Sequence, residues 1–559
     1  MDPKEGRVDS KWLTAVLFLS LGAAANAQTS PDTYWVAFTD KASTPYTLSQ
    51  PAAFFSDRAI ARRAAQGIAY DELDLPVDPA YVAQVDAIAG VEVLNRSKWF
   101  NGVTVRVQEE EAISAVQSLP CVLEVRSSGM RSAGPARLDK FGDRPQHDRE
   151  LDIPLYGPGY RQLEMLNGQA LHDIGHLGQG MLIGVLDSGF DGVDSSLAFE
   201  AVRERGGILG TWDLVDHDED VYDDHWHGRS VLSCMAARLD SQLIGTAPEA
   251  DYVLIRTETV QSEYPVEEDN WVSGVELADS LGCDVLNTSL GYTTFDDSTM
   301  DHIYAMLDGQ TLRCSIAANI ASRKGMVPVL SAGNNGQAAW YHIGAPADAV
   351  DVLTVGGVNA DALYAPFSSH GPSADGRVKP DVCAMGQGTT VLNLGVDSAV
   401  QANGTSFAAP VLAGLVACLW GAHPTRNAQD IMTAVRQSAT LYNDPNDSLG
   451  FGVPDFGAAS AWLQLTSVEQ VDVGRSTLIH PSPFIDRMVI RDPGLQIGAA
   501  YVALFGMDGR ALVFVRASVD GSNEMVLADH RLQLLPAGPY VLVVEQEGRL
   551  IRERVIKAP

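Results

Sequence analysis

The chain is poor in cysteine and in positive charge, and beyond its first residues it lacks long apolar runs. Only six cysteines occur in 559 residues: Cys121, Cys234, Cys283, Cys314, Cys383 and Cys418. None forms a Cys-x-x-Cys pair, which argues against a zinc site. Cys418 lies in the apolar stretch LVACLW, where a buried thiol fits as well as a disulfide does. Lysine and arginine number 39 against 71 acidic residues, a formal net charge of -32. Such a field repels nucleic acid and anionic membranes, excludes them as partners, and favours solubility. No later stretch reaches the ~20 apolar residues of a membrane helix, so a mature form that spans no membrane is expected. Internal repeats and low-complexity tracts are also missing.

What is present is a core-forming composition, 46% hydrophobic and 20% charged, in a chain long enough for several domains of ~150 residues. Residues 1–27 read as a secretory signal peptide. Trp12 to Leu21 is apolar, and Ala25-Asn26-Ala27 is a small-residue cleavage site before Gln28. Its leading charges are mixed, with Asp2, Glu5 and Asp9 among Lys4, Arg7 and Lys11. Export through the periplasm to the cell surface or medium is the expectation.

Four regions follow. Residues 28–130 read as a small α+β unit, with strands at 34–38, 101–107 and 122–126 and a helix at 109–119. Residues 131–158 are polar and rich in Gly and Pro, as a linker is. Residues 159–465 alternate strand-like and helix-like segments, the pattern of an α/β domain with a parallel sheet. Strands are expected at 181–187, 251–257, 284–290, 326–332 and 351–357, and long helices at 300–324 and 406–422. Residues 466–559 show short strands between Gly, Asp and Pro turns, which predicts a β-sandwich.

Open α/β sheets carry their sites at the carboxyl ends of the strands. Asp187 closes one such strand, Asn334 follows another in Gly333-Asn334-Asn335-Gly336, and Ser406 opens a helix after Asn403-Gly404-Thr405. His227-Gly228 opens a further helical stretch, with His225 and His217 close enough in sequence to compete with it. A hydroxyl nucleophile needs a base, and the base needs an orienting carboxylate. Asp187, His227 and Ser406 supply one of each. Ser406 at a helix start can aim its own N–H at a developing oxyanion, and Asn334 offers a side-chain amide as second donor. Taken singly, each has an ordinary explanation as a turn or a helix cap. Their joint placement at strand ends is what points to chemistry.

Together, Asp187-Ser188-Gly189, His227-Gly228, Ser289-Leu290-Gly291, Ala332-Gly333-Asn334 and Gly404-Thr405-Ser406-Phe407-Ala408-Ala409-Pro410 resemble the subtilisin-like serine peptidases. The order Asp, His, Ser is that of subtilisin. Gly245-Thr246-Ala247-Pro248, Phe367-Ser368-Ser369-His370-Gly371-Pro372 and Lys379-Pro380-Asp381-Val382 add to the match, which covers about 180–460. The resemblance implies a subtilisin-like parallel sheet flanked by helices. It assigns Asp187 as the orienting carboxylate, His227 as general base and acid, and Ser406 as nucleophile. Asn334 and the Ser406 N–H become the oxyanion hole, and Ser289, Leu290, Gly291, Ala332 and Gly333 the walls that bind protein or peptide substrate. Catalysis then requires no cofactor. Related peptidases often bind structural calcium, for which the acidic loop 213–224 is dense in carboxylates without an ordered ligand pattern. Arg229 departs from the family, which has Thr after His-Gly.

The flanks carry resemblances too. Asp40-Lys41, Ser56-Asp57-Arg58-Ala59 and Ser97-Lys98-Trp99-Phe100-Asn101-Gly102 are similar to propeptides of exported subtilases from Bacteroidota, which implies a zymogen. His480-Pro481-Ser482-Pro483-Phe484, Asp508-Gly509-Arg510 and Leu535-Pro536-Ala537-Gly538 resemble type IX secretion sorting domains, which implies secretion machinery as a partner. The alternative is a catalytically silent adhesion protein on the same scaffold. A non-peptidase serine hydrolase of the Gly-x-Ser-x-Gly kind is disfavoured, because here Ser406 comes last in the chain and is followed by Phe407-Ala408.

Overall fold

In the computed structural model, residues 32–129, 155–393, 395–466, 477–506, 511–546 and 549–558 are described. The signal peptide at 1–27, most of the linker at 131–158 and the Asp508-Gly509-Arg510 motif lie outside them.

The N-terminal unit runs β1 (Thr33–Phe38), α1 (Asp57–Gln66), α2 (Pro79–Asp86), β2 (Val91–Ser97), β3 (Gly102–Val107), α3 (Glu110–Gln117) and β4 (Val122–Gly129). Its strands form an antiparallel sheet in the order β2-β3-β1-β4. Strand alternation divides the sheet's residues between two faces. Val36, Phe38, Val103, Val105 and Val107 join Val82, Val85 and Val116 in the unit's own core. Trp35 lies on the other face, where the Arg313 guanidinium of the next domain covers its ring at 4.3 Å.

The central domain is built on a parallel sheet of seven strands: β5 (Leu182–Asp187), β6 (Ile208–Asp213), β7 (Asp251–Arg256), β8 (Val285–Thr288), β9 (Val327–Ser331), β10 (Leu353–Val358) and β11 (Val382–Met385). Their order is β11-β10-β9-β8-β5-β7-β6. Both faces are covered. Ile183, Val185, Val327, Val329 and Val355 pack toward one side, and Leu182, Leu186, Val253, Ile255 and Leu330 toward the other. The strands therefore read as near-continuous apolar runs, as buried parallel strands do. Helices α4 (Trp226–Ala236), α5 (Val266–Leu281), α6 (Arg313–Arg323), α7 (Thr405–Ala422), α8 (Ala428–Gln437) and α9 (Phe456–Thr466) flank the sheet. Helix α7 is apolar all round because it runs through the core; it is long and apolar enough to cross a membrane but is mostly buried in the protein.

One expected helix is shorter than its sequence pattern. Residues 300–324 give α6 only from Arg313, preceded by a 3-10 turn at Tyr304–Met306. Asp308 caps the backbone N–H groups of Gln310 and Thr311, both at 2.8 Å, and this local turn competes with helix. Strands β6 and β11, the sheet edges, were not among the sequence expectations.

The C-terminal strands β12 (Leu478–His480), β13 (Arg487–Arg491), β14 (Gly498–Phe505), β15 (Ala511–Val519), β16 (Glu524–Ala528), β17 (Gly538–Gln546) and β18 (Arg549–Lys557) make one antiparallel sheet, ordered β12-β13-β16-β15-β14-β17-β18. The expected sandwich takes the form of a sheet rolled on itself. Met488, Ile490, Leu527, Val502, Leu542 and Val555 from distant strands share one core, and a bridge between Phe484 and Lys557 draws the ends together. All six cysteines are free and buried.

Candidate active site

Strand β5 lies between β8 and β7, so the chain crosses from one side of it to the other at the topological switch point. Asp187 ends that strand, fully buried. Its Oδ1 accepts the Ser188 N–H at 2.8 Å and the Ser188 hydroxyl at 3.1 Å, and it lies 2.7 Å from His227 Nδ1. A carboxylate on Nδ1 fixes the tautomer in which Nε2 carries the basic lone pair.

Helix α4 brings His227 there. His225 is its N-cap, with Nδ1 accepting the His227 N–H at 3.3 Å and meeting Ser188 Oγ at 3.1 Å. The competing histidine is thus a capping group. His217 sits in the preceding loop beside a cavity lined by Asp216 and Arg256. Gly228 is required by close approach: a Cβ there would fall 2.3 Å from the Gly189 carbonyl and 2.9 Å from Asp187 Cβ. Any larger residue would lift the helix, and His227 with it, off the strand end. Arg229 is buried, and its Nε has no hydrogen-bond partner among the described residues. Burial pulls its pKa down while Asp191 and Asp397 oppose that.

Ser406 is the second residue of α7. Its hydroxyl lies 3.4 Å from the Ser289 carbonyl, and the ring of the next residue, Phe407, is 6.0 Å from the His227 ring. The Ser289 hydroxyl in turn donates to the Ser406 carbonyl at 2.8 Å. Asn334 is anchored through Oδ1, which accepts the Thr405 N–H at 2.9 Å and the Thr405 hydroxyl at 3.0 Å. That leaves its amide N–H groups for the cleft. Gly333, at φ 100°, supplies the left-handed turn that presents Asn334. A cavity of about 340 Å³ joins Ser289, Leu290, Gly291, Ala332, Gly333, Asn334 and Ser406. The structure therefore gathers Ser406, Asn334 and the five wall residues around one cleft, with the paired Asp187 and His227 beside the start of α7.

Sequence reasoning missed Thr405 as the anchor of Asn334, although it adjoins Ser406. It also missed a partner of the acidic loop. Arg256 pairs with Asp213 and Asp216, both at 2.5 Å, and with Asp224 at 3.0 Å. These carboxylates meet a cation supplied by β7. Burial raises Asp224 to about 6 against the pull of Arg256.

The N-terminal unit sits on α5 and α6. Glu276 accepts the Ser97 hydroxyl, the Lys98 N–H at 2.6 Å and the Trp99 N–H at 3.1 Å. Asp279 is gripped by Arg62 at 2.6 Å, Arg63 at 2.8 Å and Lys98 at 3.0 Å, all buried or nearly so. Removing one partner of such a buried pair typically costs ~3–5 kcal/mol.

A parallel-sheet domain with a helix-borne serine beside a histidine–aspartate pair is the architecture of a serine hydrolase. The Subtilase family model matches residues 178–453, and the Peptidase S8 propeptide domain of Bacteroidota matches residues 33–139. The chain is a subtilase, a serine-type endopeptidase carrying an S8 propeptide domain. Subtilisin E of Bacillus subtilis (strain 168) is 26% identical over 358 residues, 63% of this chain and 78% of that protein. Subtilisin of Bacillus pumilus is 28% identical over 285 residues, 50% of this chain and 90% of that one. The membrane-bound transcription factor site-1 protease of Mus musculus is 30% identical over 265 residues, 46% of this chain and 22% of that protein. Among solved structures, a protease from Pseudoalteromonas arctica aligns with TM-score 0.43 at 22% identity, covering 56% of this chain and 100% of that one.

Proposed function

We propose that this subtilase is a secreted endopeptidase made as a zymogen, with Ser406 as nucleophile, His227 as base and acid, and Asp187 as the orienting carboxylate. Ser406 Oγ attacks the peptide carbonyl as its proton passes to His227 Nε2. The oxyanion is held by the Asn334 amide and the Ser406 N–H. His227 then protonates the leaving amine, and water, deprotonated by the same base, releases the acyl group. Ser289, Leu290 and Gly291 pair with the substrate backbone as an added strand, while Ala332 and Gly333 form the opposite wall. The observation that carries this reading is the 2.7 Å contact between Asp187 and His227 beside the helix that bears Ser406.

Residues 28–130 act as the removable inhibitor, 1–27 as the export signal, and 466–559 as a sorting domain handed to secretion machinery. A silent adhesion protein would have no need of Asn334 and the Asp187–His227 pair held in this arrangement. Treating the mature protein with a serine-directed fluorophosphonate decides between them. The adduct mass should appear on the peptide containing Ser406, and a fully unlabelled protein would reject the peptidase mechanism.

A further inference from the structure

Beyond Gly291 the chain that lines the cleft makes an excursion from Thr293 to His302 before it reaches α6. The ends of this loop meet, because the His302 N–H donates to the Thr293 carbonyl at 2.9 Å. A compact surface loop with its ends together is the form that Ω-loops take. Thr293 and Thr294 line the cavity that holds Ser406 and Asn334. Gly344 lines it too, and a Cβ there would fall 3.1 Å from Thr293 Cγ2. Where Thr293 sits therefore decides how wide the cavity is at this end.

The loop's tip, Asp297, Ser298 and Thr299, is exposed. Its inner bonds shape it locally: Asp301 accepts the Phe295 N–H at 2.7 Å, and Asp297 accepts the Thr299 N–H at 2.9 Å. The Asp296 N–H ties one side to the β7–α5 connection, on the Glu263 carbonyl at 2.9 Å. His302 ties the other end to the helices. Its Nε2 meets Glu268 Oε1 at 2.8 Å in the first turn of α5. The Cys314 thiol, at the start of α6, donates to the same oxygen at 3.3 Å. The Phe295 ring stands edge-on to the imidazole, with centroids 5.1 Å apart and planes at 88°. Phe295, His302, Glu268 and Cys314 are all buried. Burial pushes Glu268 up, but His302, Cys314 and Arg313 outweigh it and hold the carboxyl below its usual range. A buried pair of this kind is costly to desolvate and adds little net stability. Apolar side chains would hold the loop down as firmly, whereas two donors on one carboxylate oxygen also fix its direction.

We propose that His302 is a positioning residue for substrate binding: anchored on Glu268, it holds Thr293 and Thr294 as a fixed wall for the peptide residues that run along Ser289–Gly291. This rests on the reading of the Ser406 cleft as the substrate site. The test uses active enzyme whose active fraction is titrated with fluorophosphonate, and two substrates, a long quenched peptide and a single-residue ester too short to reach the wall. His302→Phe should raise KM for the long peptide about tenfold while kcat stays within about twofold. Turnover of the ester and the rate of fluorophosphonate labelling should not change. His302→Gln keeps a donor toward Glu268 and should recover most of the lost affinity. His302→Phe leaves Glu268 as a buried charge with one partner fewer, which endangers folding. The double variant Glu268→Leu with His302→Phe strands no charge and should show the same raised KM. An unchanged KM for the long peptide in that variant would overturn the role of His302 and leave the nucleophile standing. Equal losses on peptide and ester, or slowed labelling, would also overturn it by making the pair a purely structural pin. No labelling of the wild-type protein would remove the reading on which the proposal rests.

Discussion

The Ser289 hydroxyl donates to the Ser406 carbonyl at 2.8 Å, the acceptor that Pro410 leaves without a helical partner. In an unbroken helix the N–H four residues on would take that carbonyl. Proline has none. The wall of the cleft therefore completes the helix that carries the serine.

Ser289→Ala should strand that buried carbonyl and destabilise the protein by ~1–3 kcal/mol, with a several-fold fall in kcat. Pro410→Ala restores a backbone donor, so the double variant should lose less than the two single losses combined. Denaturation midpoints and kcat for the four proteins of this cycle measure the coupling. Strict additivity would show that the two residues do not share the acceptor.

Asn334→Leu should lower kcat by ~10²–10³, or ~2.7–4 kcal/mol, with little change in KM, as loss of one oxyanion donor does. Thr405→Val removes the hydroxyl that helps fix Asn334 Oδ1 and should reproduce a fraction of that loss, whereas Thr405→Ser should restore it. Steady-state kinetics on one peptide substrate separates the three.

Ser406→Ala should accumulate the uncleaved precursor, while the wild-type protein acquires a new N-terminus between Ser128 and Tyr160. Intact-mass and N-terminal measurements check both. A fully active wild-type protein retaining the propeptide would contradict the zymogen reading.

The grip of the propeptide should depend on pH from two directions. Burial pushes Glu276 up to about 7 despite Lys98 and the donors around it. Its contribution is complete at low pH and is lost as pH rises through that value. Burial also pushes Asp279 up, but Lys98, Arg62 and Arg63 outweigh it and hold the carboxyl well below its usual range. That contribution is present above the ordinary carboxylate range and is lost in acid. Association should be tightest in mild acid. Limited proteolysis of the Ser406→Ala precursor across pH should show this, and Glu276→Gln should flatten the neutral limb.

Much of this was legible in the sequence because parallel strands buried on both faces are apolar runs ending in polar turns. Asp187, Asn334 and Ser406 stand at such ends. The edge strand β6 escaped because Gly210 and Trp212 interrupt its pattern, and β11 because its four residues follow Pro380 without alternation. Thr405 and Pro410 look like ordinary helix residues until Asn334 and Ser289 are brought against them. Carboxylates such as Glu276 and Asp279 resemble a solvated helix face, and only the docked N-terminal sheet reveals them as buried. The acidic loop's pairing with Arg256 escaped because that arginine comes from another strand.

Helix α7 has a consequence for the order of assembly. Asp187 and His227 are 40 residues apart, whereas Ser406 comes much later in the chain, on a helix that forms part of the core itself. A growing chain thus gains its base well before its blade. On the proposed mechanism, a precursor whose interior has not closed around α7 cannot cut itself, so the first cut would also certify that folding is done.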